Sequence, residues 1–350
     1  MTRPRPFNVA LLGYGYAGRV FHAPLIAATD GLTLHSIVSS QNAAAEDFPS
    51  AHVVDRARAL ADPDIDAVVI ATPNDTHAAL ACEALAAGKH VLVDKPFAVT
   101  ADEAQRIVAA AEHADRIASV FQNRRWDADF LTVRGLIEAG ELGRITEFHS
   151  HFDRFRPQVR DRWRESDAPG AGLWFDLGPH LLDQALQLFG SPQAIQADIA
   201  TQREHARSDD WFDVVLHYPR MRAVLHAGSL VADARLRFAV HGDRGSFVKQ
   251  GLDTQEDALR AGRHPGGGDW GLDPQDGSLT RVDDDGHTHV ATVTSERGDY
   301  RCCYAQWRDA IAGIAPPPVS AAQALQLMEL LELAVRSARL GQRLDVAATA

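Results

Sequence analysis

The apolar run Val9-Ala-Leu-Leu12 ends directly on Gly13-Tyr-Gly-Tyr-Ala-Gly18, and that junction constrains the fold more than any other segment. A buried strand that breaks into glycines and then into a helix starts a parallel α/β sheet whose first turn can cradle a diphosphate. Gly13 permits the tight turn, Gly15 lets the backbone approach the ligand, and Gly18 allows close packing of helix on strand. Tyr16 and Ala17 belong to the same cofactor-binding turn. A lone G-x-G-x-x-G is weak, but here a strand precedes it, a helix should follow, and residues 32–39 read as a second strand. Pro24 is expected to break or restart that first helix.

Strand and helix signals alternate through the first third of the chain, as in a parallel sheet with crossover helices. Further strands are expected at residues 67–72, 89–94 and 117–121. A helix from 76 ends at Gly88, and the capping box Thr100/Glu103 opens another. The domain boundary is placed at Asn123. Beyond it come a helix that stops at Gly140, a strand over 145–152 and a helix over 173–189. Strands then follow at 194–200, 211–218, 223–229, 237–241 and 246–249, with short links that imply antiparallel pairing. Ser320 and Gln323 form a capping box for a last helix at about 320–340. The expectation is an α/β protein. A Rossmann dinucleotide-binding domain covers 1–123, and an α+β domain with an open, mostly antiparallel sheet covers 124–350. Residues 262–289, rich in Gly and Asp and without a period, read as a surface loop.

Bulk properties narrow the function. At 350 residues two domains are the default. The net charge of −12 argues against a nucleic-acid or anionic-membrane surface. No apolar run approaches the roughly 20 residues of a membrane span. Cys82, Cys302 and Cys303 are an odd, sparse set, as expected of reduced thiols in the cytoplasm.

The second strand ends Ile37-Val-Ser-Ser40. An NAD site usually offers an acid there for the ribose 2′-hydroxyl. Glu46 and Asp47 read as too far on, while Ser39 and Ser40 can donate to a 2′-phosphate, so NADP is favoured over NAD. No Arg or Lys lies between Gln41 and Asp55 to neutralise that phosphate. The turn Thr72-Pro73-Asn74 is placed to border the nicotinamide ribose, and His77 could donate to a ribose or phosphate oxygen. Asp94 and Lys95 end a later parallel strand, where such sheets hold their ligands. An ammonium group there can stabilise oxygen charge as a C–H bond breaks. Asp176, His180 and Asp183, at i, i+4 and i+7, share one helix face. An imidazole flanked by carboxylates can serve as a general base. As a metal set these three are incomplete, and none is assigned. Pro179 is awkward inside that helix and threatens the one-face argument for Asp176.

These residues resemble the glucose–fructose oxidoreductase/inositol dehydrogenase (Gfo/Idh/MocA) family over essentially the whole length. The family's Glu-Lys-Pro motif stands here as Asp94-Lys95-Pro96, and its Asp-x-Gly-x-His-x-x-Asp motif is intact from Asp176 to Asp183. The segments Phe121-Gln-Asn-Arg-Arg-Trp-Asp-Ala-Asp-Phe130, His151-Phe-Asp-Arg-Phe-Arg-Pro157 with the nearby Arg162-Trp-Arg164, and Gln255-Glu-Asp-Ala-Leu-Arg260 are similar to the subgroup that includes NADP-dependent scyllo-inositol dehydrogenases. The resemblance implies a dehydrogenase acting on a cyclic polyol or sugar, and a homodimer or homotetramer formed through the second sheet. In that scheme Lys95 orients the hydroxyl, His180 exchanges its proton, and Asp176 positions substrate or imidazole. Asn123, Trp163 and Arg164 lie near nicotinamide and substrate, Asp183 contacts substrate, and Arg154, Arg156 and Arg160 could reach substrate oxygens. Two alternatives keep the fold. One is a redox-neutral sugar-modifying enzyme with tightly held cofactor; the other is a non-catalytic, nucleotide-responsive binding protein.

Overall fold

The computed structural model describes residues 5–347. The chain groups into two units. One holds the chain up to Asn123 with Gln255–Trp270 and Asp299–Met328; the other holds Arg124–Thr254, Gly271–Gly298 and the chain from Glu329. Two late segments thus group with the first unit, which strand and helix periodicity has no means of showing.

The first unit is built on strands β1 (Phe7–Leu12), β2 (Leu32–Val38), β3 (His52–Val54), β4 (Ala67–Ile70), β5 (His90–Val93) and β6 (Ala118–Val120). Their order is β3-β2-β1-β4-β5-β6, and every pairing is parallel. That is a doubly wound sheet whose order reverses beside β1, so β1 and β4 flank the switch point where such sheets hold ligands. β4 and the end of β1 are fully buried, because helices cover both faces. After β1 the chain passes through a π turn, Gly18–His22, into the short helix Ala23–Ala27. Pro24 sits in the first turn of that helix, where its missing N–H costs nothing, so the run restarts there as an α-helix as expected. Thr100 and Glu103 form the expected reciprocal cap, and so do Ser320 and Gln323.

The second unit carries strands β7 (Ile145–His151), β8 (Ala194–Ala200), β9 (Trp211–Tyr218), β10 (Met221–Gly228), β11 (Leu236–Gly242), β12 (Gly245–Gln250), β13 (Gly277–Val282), β14 (Thr288–Val293) and β15 (Leu344–Asp345). Their order is β14-β13-β12-β11-β7-β10-β9-β8-β15. Only β7 and β10 pair in parallel; the rest are antiparallel. Phe148, Phe212, Val214, Leu216, Leu225 and Val240 alternate inward and are buried, and helix Leu173–Phe189 packs on β9 and β10. Their sequence neighbours on the other face are half-buried.

Residues 262–289 are not simply a loop. Ser278-Leu-Thr-Arg-Val282 and Thr288-His-Val-Ala-Thr-Val293 pair as the β13–β14 hairpin. Asp283 closes its turn by accepting from the N–H groups of Asp285 and His287, and Gly286 takes φ +84°. The alternation was present, but the run of aspartates masked it.

Helix Leu173–Phe189 has the expected bounds and continues through Pro179. Gly178 permits this packing, since a Cβ there would meet the Trp174 ring at 2.4 Å. Deeper in, the fully buried Arg237 guanidinium donates to Asp129 (3.0 Å), Ser150 Oγ (2.9 Å) and Gln184 Oε1 (2.7 Å). Gln184 Nε2 donates to the Arg124 carbonyl. One buried cation on β11 therefore ties helix Leu173–Phe189 to β7 and to helix Ala128–Glu138.

Candidate functional site

The three glycines of the first turn have different surroundings. A Cβ on Gly13 (φ +97°) would lie 2.5 Å from Ala71 O, and one on Gly18 would lie 2.1 Å from Gly13 O. Those two close the turn on itself and on the end of β4. A Cβ on Gly15 would meet nothing within 4 Å. That space is the kind of cradle a diphosphate needs and a side chain would fill. Gly15→Val is therefore expected to keep the fold and weaken binding of a nicotinamide dinucleotide at least about tenfold, about 1.4 kcal/mol by fluorescence titration. Gly18→Ala should instead lower the unfolding midpoint.

Gly15 and Tyr16 border an opening of about 740 Å³, whose lining includes Arg19, Gln41, Asp47 and Arg260. Tyr16 is exposed and Ala17 half-buried beside them. Asp47 is not too far along the chain to matter. Tyr14 OH donates to its Oδ2 at 2.9 Å, and Arg19 Nε lies 2.8 Å from the same oxygen. Burial, reinforced by Asp47, pushes the Tyr14 phenol up, so it stays a donor. An acid does stand beside the glycine turn, neutralised by Arg19. Positive charge missing between Gln41 and Asp55 arrives from Arg260 and Arg263, which line the same opening. Ser39 Oγ accepts from Gln41 N, and Ser40 is exposed.

At the end of β4, Thr72 Oγ1 lies 2.6 Å from Thr76 Oγ1; Pro73 is exposed and Asn74 buried. His77 is fully buried, its Nδ1 2.8 Å from Pro96 O and its Nε2 3.0 Å from Thr72 O. Burial lowers its pKa. The neutral ring that burial favours has one N–H to donate, and both nitrogens face protein carbonyls rather than open space. The ring ties the Thr72 turn to the Lys95-Pro96 segment instead.

Beneath Lys95 lies a group that sequence reasoning missed. His22, fully buried, meets Tyr304 OH through Nδ1 at 2.6 Å, and its Nε2 lies 3.6 Å from Asp94 Oδ1. Asp94 Oδ1 accepts from the Lys95 N–H at 2.8 Å. Burial opposes a charge on Asp94, but His22 and Lys95 hold its pKa down to about 2. The carboxylate stays ionised and fixes the backbone from which Lys95 projects. His22 and Tyr304 are 282 residues apart, so no local pattern could join them. Asn123, at the head of a short 3₁₀ turn, is buried.

In the second unit, Asp209 caps helix Leu173–Phe189 from outside. Its carboxylate accepts from Trp174 N at 2.6 Å and its carbonyl from Leu173 N at 2.8 Å. Gly172 (φ +98°) leaves the room, because a Cβ there would lie 2.0 Å from Asp209 Oδ1. Burial pushes the Asp209 pKa up to about 6, although the Trp174 and Leu173 N–H groups pull it down. The folded state therefore holds this proton more tightly than the unfolded chain, whose Asp titrates near 3.9. Between about pH 4 and pH 6 this group should subtract stability as pH rises, by on the order of 2–3 kcal/mol. Asp209→Asn should abolish that component; parallel denaturation curves for both proteins across pH 4–7 would contradict it.

The helix then presents Asp176, half-buried, between Arg154 Nη1 and Arg164 Nε, each 3.6 Å away. Arg164 also stacks over the partly exposed Trp163 ring at 4.9 Å. Asp176, Arg154, Arg156, Arg162 and Arg164 line one small recess. Burial and the neighbouring arginines, Arg154 and Arg160 foremost, press the Arg156 pKa down to about 10. One turn on from Asp176, His180 is buried at 5% exposure. Asp183 has another task. Its two oxygens accept from Arg125 Nε (2.8 Å) and Nη2 (2.6 Å) in a buried, bidentate pair. That geometry gives it a strong structural partner.

The chain is similar to known proteins along almost its whole length. Residues 7–122 match the oxidoreductase family's NAD-binding Rossmann fold, and residues 134–346 match its C-terminal alpha/beta domain. The chain is 51% identical to the uncharacterised Escherichia coli oxidoreductase YdgJ over 95% of its own length and 96% of that protein's. It is 38% identical to the Bacillus subtilis scyllo-inositol 2-dehydrogenase (NADP(+)) IolW, over 95% and 94% of the two chains. A solved structure of YPO2259 from Yersinia pestis superposes with a TM-score of 0.95 at 47% identity, covering 99% of each chain. Among the described residues no helix is long and apolar enough to cross a membrane. With a doubly wound nucleotide-type sheet, a mostly antiparallel second sheet and both family domains matched, the chain belongs to the Gfo/Idh/MocA family of oxidoreductases.

Proposed function

We propose that the protein is an NADP-dependent dehydrogenase that reversibly oxidises a secondary hydroxyl of a cyclic polyol or sugar, with an inositol-like ring as substrate. The observation that carries this reading is the 38% identity, along almost the whole chain, to a protein named as an NADP-dependent scyllo-inositol dehydrogenase. The open space at Gly15 and the arginines bordering it fit a phosphorylated dinucleotide.

When bound, that dinucleotide supplies a nicotinamide C4 that takes hydride from the alcohol carbon. His180 accepts the hydroxyl proton as the ketone forms, and returns it in reduction. The Lys95 ammonium orients the hydroxyl and stabilises charge on its oxygen. Asp94, kept ionised, holds the Lys95 backbone in place. Asp176, flanked by arginines, positions the ring, with Asn123, Trp163 and Arg164 completing the contacts. Copies of the chain associate through the second sheet as a dimer or tetramer, and the free cysteines suit the cytoplasm.

A fluorescence screen of NADP⁺ and NAD⁺ reduction across inositols, aldoses and deoxy-sugars tests the reading. The expected result is reduction of NADP⁺ in preference to NAD⁺ by one or more cyclic polyols. Reduction by none of them would refute it.

A further inference from the structure

Three ligand-type side chains meet on the half-buried face of the second sheet, on elements the proposed reaction does not use. His226 of β10 lies opposite His151 of β7 in the parallel pairing, and opposite Asp213 of β9 in the antiparallel one. Asp153 follows just beyond β7. His226 Nε2 is 3.3 Å from Asp153 Oδ1, and His151 Nδ1 is 3.3 Å from Asp153 Oδ2. One atom of each residue lies within 4.8 Å of the others. Ligands bound tetrahedrally to zinc at about 2.0–2.1 Å stand roughly 3.3–3.4 Å from one another, and each imidazole nitrogen stands at that distance from one of the two Asp153 oxygens.

The surroundings hold this set in place. His226 Nδ1 faces Asp213 Oδ2 at 3.4 Å, which turns Nε2 toward Asp153. A carboxylate behind a ligating imidazole is the usual means of fixing its tautomer. Asp153 Oδ1 also accepts from Gly228 N at 2.9 Å. The three side chains are only 19%, 6% and 15% exposed for His151, Asp153 and His226, so little entropy is lost on binding an ion.

We propose that His151, Asp153 and His226 form a zinc-type site for a divalent transition metal, with Asp213 orienting His226 and water in the fourth position. An ion bound there joins β7 to β10 by coordination.

The test is a Zn²⁺ titration of the chelator-treated full-length protein by calorimetry, with Co²⁺ absorption as a second readout. One equivalent per chain is expected, with the intense visible bands of tetrahedral Co²⁺. His151→Gln should abolish both, with an unchanged circular dichroism spectrum. Asp213→Asn should weaken binding about 10–100-fold. His287→Ala removes the exposed Asp283, Asp285, His287 group and should change nothing. No binding by the wild type, retention in His151→Gln, or loss in His287→Ala would each overturn the proposal.

Discussion

His180→Ala is expected to lower kcat by about 10²–10⁴-fold, the usual contribution of a positioned general acid–base, while NADPH binding stays within about twofold of wild type. The split follows from placement. His180 sits on helix Leu173–Phe189 in the second unit, and the glycine turn with its open space at Gly15 lies in the first. The glycine turn itself is built from residues 13–18 and does not include this side chain. Its helix is held by the Asp209 cap and the Arg237–Gln184 contact, neither of which involves the imidazole. A loss of kcat without loss of folding or cofactor binding is the signature of a proton-transfer group. Near-normal turnover in His180→Ala would remove His180 from that role.

The second large effect is on stability. Asp183→Ala should cost about 3–5 kcal/mol in chemical denaturation, because it leaves the Arg125 guanidinium buried without its bidentate partner. The paired replacement Asp183→Leu with Arg125→Met should recover much of that loss, since it removes both charges and keeps the volume apolar. A substrate contact would behave differently. Asp183→Ala would then raise KM at nearly unchanged stability, and that outcome would return Asp183 to the binding site.

Much of this architecture was legible locally. The apolar run at Ala67–Ile70 announces a strand buried on both faces, and the bounds of helix Leu173–Phe189 and of β8 and β9 follow from their periodicity. Pro179 gave a false warning: a helix packed by Trp174 over Gly178 and anchored through Gln184 tolerates one missing N–H. What the sequence could not show is long-range. Asp47 seemed remote from the glycine turn because spacing along a chain says nothing of a Tyr14 hydroxyl that reaches it. Arg260 and Arg263 stand more than 200 residues from Gln41 and line the same opening. His77 looked like a ligand donor because a first-turn histidine is usually exposed; here the ring is buried with both nitrogens facing protein carbonyls. The β13–β14 hairpin was lost to composition, since three aspartates and a glycine at a turn resemble a loop when alternation is weighed too lightly.

The central claim is net hydride transfer from a ring carbon to the dinucleotide. The direct measurement is mass spectrometry of the dinucleotide after incubation of the enzyme with NADP⁺ and ring-deuterated inositols. The account predicts reduced NADP carrying one deuterium for each ketone formed. A modified sugar appearing with no deuterium in the released nicotinamide pool would contradict it.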